Sequence, residues 1–157
     1  MKVLICVSGM AKCEKENCLI DPCEYEVTGA LCKAPTEGSP SRLNALQQLP
    51  GLLDNCRFYL NGQFDTPTKN DLTLWIRNGG GTILTRMPNP EAIASDQSVP
   101  YHANSTGKLS HCSHFVIYDP CAKIQPSILY NMNHLKTLPV QWLLACIEHF
   151  ALVDPFL

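Results

Sequence analysis

Arg57-Phe58-Tyr59-Leu60, then Thr66-Pro67, then Leu72, Trp75 and Ile76, then Gly79-Gly80-Gly81, then Thr82-Ile83-Leu84-Thr85: this succession decides the fold. The first and last runs are short, apolar and β-prone, the composition of strands. Between them Thr66 is placed to cap free amides, and Pro67 suits the first helical position. Leu72, Trp75 and Ile76 recur at helical spacing through to Asn78, and the three glycines stop the helix. Asn61-Gly62 turns the chain after the first strand. The triple glycine follows a helix and opens a strand, the reverse of a phosphate-cradling loop, in which glycines follow a strand and open a helix.

Toward the carboxy terminus, a loop rich in Pro, Asn and Ser runs from Arg86 to about Ser113. His114-Phe115-Val116-Ile117-Tyr118 is a nearly unbroken apolar strand, the pattern of one covered on both faces. Residues 120–136 read as irregular or weakly helical. From Pro139 a closing helix carries Trp142, Leu143, Cys146, Ile147 and Phe150 around most of its circumference, which predicts deep packing. Trp142 and Cys146 lie one turn apart and are expected to pack together. Trp75 is expected at a seam between modules rather than at the centre of a core. Alternating strands and helices predict an α/β fold, a small, mainly parallel four-stranded sheet flanked by helices, with an N-terminal linker extension.

That extension has its own pattern. Gly29, Pro35, Gly38 and Pro40 mark a linker, and Leu43, Leu46 and Leu49 mark one face of a short helix ended by Pro50-Gly51. The organisation expected is residues 1–27 as an atypical segment, 28–53 as a linker with a short helix, and 54–157 as the domain.

Composition narrows the functional classes. A chain of 157 residues has room for one ordinary domain, and 45% hydrophobic against 17% charged residues suits a globular core. A formal charge of −2 argues against a duplex-coating or directly DNA-reading protein. The run Met1–Val7 breaks at Ser8-Gly9 without a clear cleavage site, and no window reaches a membrane-spanning length. A soluble intracellular protein is therefore expected, with no membrane partner.

Nine cysteines are many for this length. Cys13, Cys18 and Cys23, with Cys32 nearby, form a chain of singles rather than the two close pairs that a structural zinc site wants. Reduced, partly buried thiols and no metal or other cofactor are expected. His111, Cys112 and His114 supply the raw material of a nucleophile, but neighbours on a strand point to opposite faces and no orienting carboxylate is evident. No catalytic residue is assigned, and the chain is not expected to be an enzyme.

With these elements placed, the carboxy-terminal part resembles a BRCT domain. The likeness rests on Phe58-Tyr59-Leu60, Gly62-x-Phe64, the helix ending in Gly79-Gly80-Gly81, and Trp142-x-x-x-Cys146. A longer string, Ser41-Arg42-Leu43-Asn44, Gly80 to Arg86, Pro88-x-Pro90, Tyr101-His102-Ala103 and Ile117-Tyr118, is similar to the second of two tandem BRCT repeats. Ala11-Lys12-Cys13 and Tyr25-Glu26-Val27 are similar to the tail of the first.

The resemblance implies a nuclear, non-enzymatic interaction module of a ubiquitin-ligase partner protein in the DNA-damage response. DNA-repair proteins and nucleosomal chromatin are the implied partners. It places at Arg86 an arginine anchor for the acidic face of the nucleosome, whereas Ile93 stands where an acidic residue would accompany it. Phosphopeptide binding is not expected without the first repeat. Asn61-Gly62 lacks the hydroxyl of a phosphoserine loop, and Lys136 lies near its lysine position without matching it. A rival expectation is a truncated or alternative product that self-associates, or interferes with the full-length protein, through Leu43, Leu46, Trp75 and Ile76.

Overall fold

The computed structural model describes residues 14–16, 40–94 and 99–155. Cys13, Cys18, Cys23 and Cys32, with most of the expected 1–27 segment, lie outside them. The chain divides between Leu49 and Pro50 into two units.

In the first unit, α1 spans Pro40–Leu46 and ends earlier than the leucine pattern predicts. Leu43, Leu46 and Leu49 are 37%, 61% and 37% exposed, and Asn44 is the buried residue of the helix. Asn44 Nδ2 donates to Leu49 O at 3.3 Å, so a side-chain amide closes this helix end.

The second unit is a four-stranded, wholly parallel sheet in the order β2-β1-β3-β4. Its elements are β1 (Arg57–Asn61), α2 (Lys69–Asn78), β2 (Thr82–Ile83), a 3-10 turn (Pro90–Ala92), β3 (His114–Tyr118), β4 (Leu135–Pro139) and α3 (Val140–His149). β1 and β3 pair over five residues, as do β3 and β4, while β2 pairs with β1 over only two.

Three local expectations are corrected. The cap of α2 is Thr68, not Thr66: its Oγ1 accepts from Asp71 N, and the Asp71 carboxylate accepts from Thr68 N. This reciprocal capping box outcompetes a lone threonine because it satisfies two amides at once. β4 occupies residues expected to be irregular or to begin the last helix. Its inward-facing Lys136 breaks the apolar alternation by which a strand is recognised. Finally, α3 buries Val140, Trp142, Leu143 and Cys146 but leaves Ile147 37% exposed, so its buried stripe is narrower than the sequence suggests.

Register places Phe58 and Leu60, Phe115 and Ile117, and Lys136 and Leu138 on one face of the sheet. The apolar members of that face join Leu72, Ile76, Trp142, Leu143 and Cys146 in the core. Phe58, Phe115 and Trp142 form a continuous stack, with ring centroids 5.3 and 5.0 Å apart. Burial of each such ring stabilises by about 1.5–3 kcal/mol before the added stacking. Leu52 and Leu53, assigned from sequence to the linker, are 5% and 1% exposed and belong to this core.

The triple glycine turn packs on the segment entering β1. Leu53 N donates to Gly79 O at 2.8 Å, and a Cβ on Gly51 would lie 2.5 Å from the same oxygen. Gly80 adopts a φ of 88°, where glycine carries no Cβ penalty.

Candidate interaction surface

The strand order reverses between β1 and β3, and ligands of parallel α/β sheets settle outside the carboxyl ends of strands at such a point. Asn61 and Gly62 stand there, Gly62 with a φ of 81°. The chain leaving β3 comes close here: the Ile124 carbonyl oxygen lies 3.4 Å from where a Gly62 Cβ would project. Lys136 pairs with Phe115, three residues before the Tyr118 that pairs with Asn61. Two strand spacings across and three residues along separate the backbones of Asn61 and Lys136 by about 14 Å. The lysine is 6% exposed, and its Nζ donates to Asn131 Oδ1 at 2.8 Å. The structure therefore does not bring Asn61, Gly62 and Lys136 together around one anion.

Arg86 and Trp75 are both exposed, the tryptophan by 40%. Trp75 parts from its predicted companions: Leu72 and Ile76 are fully buried beneath it, so Ile76 cannot contribute to an exposed patch. Arg86 follows β2 on a segment fixed at its far end. Asn89 Oδ1 accepts from Glu91 N at 3.2 Å to cap the 3-10 turn, and His134 Nε2 donates to Pro90 O at 3.3 Å. Ile93 closes that turn.

The cysteine beside the histidines is a core thiol. Cys112 is fully buried and its Sγ donates to His114 O at 3.5 Å. Burial pushes its thiol up to about 12, outweighing the opposing charge of Lys136. Cys146 is likewise raised by burial to about 12, and Cys56 higher still, so none of the three is poised as a nucleophilic thiolate. Among the described residues no group of three His, Cys, Asp or Glu side chains could hold a metal ion. No described helix is long and apolar enough to cross a membrane.

One feature escaped the sequence reading. A cavity of about 480 Å³ opens beside β4, with Tyr118, Tyr130, Lys136, Trp142, Ala145 and Val153 in its walls. These residues come from separate segments, and no local pattern ties them together.

Residues 51–156 match the model of the BRCT domain. The chain belongs to the BRCT domain family. Curated relatives include "BRCA1-associated RING domain protein 1" of Homo sapiens, 32% identical over 133 residues, and its counterpart in Mus musculus, 32% identical over 132 residues. Each match covers 83% of this chain but only 17% and 16% of the respective relative. The chain thus spans about a sixth of the length of these relatives. The parallel sheet with flanking helices is the BRCT α/β fold, and a BRCT domain is a protein-interaction module.

Proposed function

We propose that this BRCT module serves the DNA-damage response in the nucleus, binding DNA-repair proteins and nucleosomal chromatin through exposed side chains, with Arg86 as the anchor on chromatin. The observation that carries the chromatin contact is the exposure of Arg86 on a segment pinned by the His134–Pro90 hydrogen bond. A guanidinium so presented engages clustered carboxylates with several charge-assisted bonds, as the acidic face of a nucleosome requires. Similarity to relatives named for association with BRCA1 supports the repair setting. Phosphoserine recognition is not part of the proposal, because Asn61, Gly62 and Lys136 are not assembled.

Arg86→Ala should weaken nucleosome capture by the purified chain while leaving its unfolding midpoint unchanged. Equal capture by the two proteins would remove Arg86 from the function. A second contact has its own observation: Leu74 and Trp75, 57% and 40% exposed, are adjacent on α2 and suit packing against a neighbouring module or a second copy. Sedimentation at rising concentration should then show self-association that Trp75→Gln reduces. Concentration-independent sedimentation would exclude the second copy.

A further inference from the structure

We propose that the cavity beside β4 is a peptide-docking site for a segment that places a carboxylate on Lys136 and an adjacent apolar side chain against Trp142. This rests on the module being an interaction domain and names a site and a partner chemistry within that reading.

Charge and burial point to the occupant. Lysine is almost never fully buried unless it is paired. Lys136 is 6% exposed, yet its ammonium donates to a neutral amide oxygen, that of Asn131. Two of its three donors are thus left for another acceptor. Among the described residues of the cavity wall the ammonium belongs to the only charged one, and none is Asp or Glu. Asn131 and Gln141 give the wall two exposed amides beside a largely apolar surface that includes Leu129, Leu138, Pro139 and Pro155. The indole N–H of Trp142 is already committed to Val153 O at 2.8 Å, so the ring offers only its apolar surface. A pocket with one buried positive charge and apolar walls complements an anion attached to an apolar body.

A peptide segment fits the edge on which the cavity lies. β4 is the last strand of the sheet, and residues 130–132 already pair against part of its free side: Thr137 N donates to Tyr130 O and Met132 N to Leu135 O, each at 2.8 Å. A partner therefore need not add a strand there. It inserts side chains, and 480 Å³ accommodates an acidic residue with one large apolar neighbour.

The test is selection of a displayed library of random short peptides on the full chain, followed by affinity measurement with synthetic versions of the enriched sequences. Enriched peptides should carry Asp or Glu beside a large apolar residue. Replacing that acid by its amide should weaken binding about ten- to hundredfold, as expected for a hydrogen bond to a charged group. In Lys136→Met the acid and amide peptides should bind alike, both weakly. Ala145→Phe, which fills the cavity from α3, should abolish binding of either. Lys136→Met should unfold at or above the temperature of the unaltered chain, since exchanging a buried charge for an apolar side chain is neutral or stabilising.

Neutral or basic enriched peptides, phosphate-dependent ones, or no enrichment at all would overturn the site. Peptides indifferent to both substitutions would overturn the pocket while leaving the interaction module intact. Nucleosome capture, which turns on Arg86, tests that broader reading independently.

Discussion

The two edges of the sheet are built differently. At the β2 edge the strand is two residues long and contact is backbone on backbone: Leu53 N reaches Gly79 O, Gly81 N reaches Ile76 O, and a Cβ on Gly51 would strike the Gly79 carbonyl. At the β4 edge the strand runs five residues, its inward row carries a lysine, and a cavity of about 480 Å³ lies between it and α3. At the first edge these backbone contacts close the turn against the entering chain, whereas at the second a buried lysine lines a cavity. Close backbone packing and cavity space are thus separated across one sheet, and the stack of Phe58, Phe115 and Trp142 joins them.

Removing the end of that stack should have the largest effect. Trp142→Ala gives up the ring contact with Phe115 and the hydrogen bond to Val153 O, for a loss of about 3–5 kcal/mol, measurable by urea unfolding. A loss under about 1 kcal/mol would mean that the β4 side contributes little to the fold, and the comparison would fail. At the opposite edge, Gly81→Ala places a Cβ 2.7 Å from Ile76 Cγ2 and 3.2 Å from Leu53 Cβ. Two buried neighbours must shift, so a loss of about 1–3 kcal/mol is expected in the same assay. A neutral outcome would show that this edge has slack.

Thr68→Ala should cost about 1 kcal/mol, the usual value of a threonine cap. It should also let the Asp71 carboxyl rise part of the way toward its ordinary value, because it removes the Thr68 hydroxyl, the larger of the two causes that hold it down, and leaves the backbone amide. Carboxyl titration by NMR would check this, and an unmoved Asp71 would disprove the capping box.

The β2 side was legible because its signals are local. A β-prone run, a helical period and three glycines each act within a few residues of their own position, so β1, α2 and β2 could be placed, with the cap displaced by two residues and β2 ending at Ile83 rather than Thr85. β3 was equally clear, since strands covered on both faces are continuously apolar. β4 was not legible from its own residues. Lys136 and Leu138 share its inward row, so neither alternation nor an apolar run marks Leu135–Pro139. The same lysine that hid the strand makes its cavity chemically distinctive. Arg86 was singled out by resemblance alone, because the tie that fixes its segment joins His134 to Pro90, 44 residues apart.

Acid should separate the two edges by pH, with the smallest effect of the set. His114 lies in β3 against Leu135 of β4, and burial, followed by the charges of Arg57 and His134, holds its imidazole below the usual 6.5. Between its native value and 6.5 the unfolded chain binds a proton that the folded chain refuses, so stability falls as pH drops through that window and is complete above it. Asp71, at the α2 cap, is lowered instead from 3.8, so its contribution persists above that value and is lost only on further acidification. The His114 contribution should therefore be lost first, as the pH falls below 6.5, and that of the α2 cap later, below 3.8. Urea unfolding of the unaltered chain and of His114→Gln across mildly acidic pH would measure the difference. The substitution should flatten the slope just below pH 6.5, because glutamine takes up no proton in either state. An unchanged slope would assign the effect to the other histidines and leave the two edges alike in their response to acid.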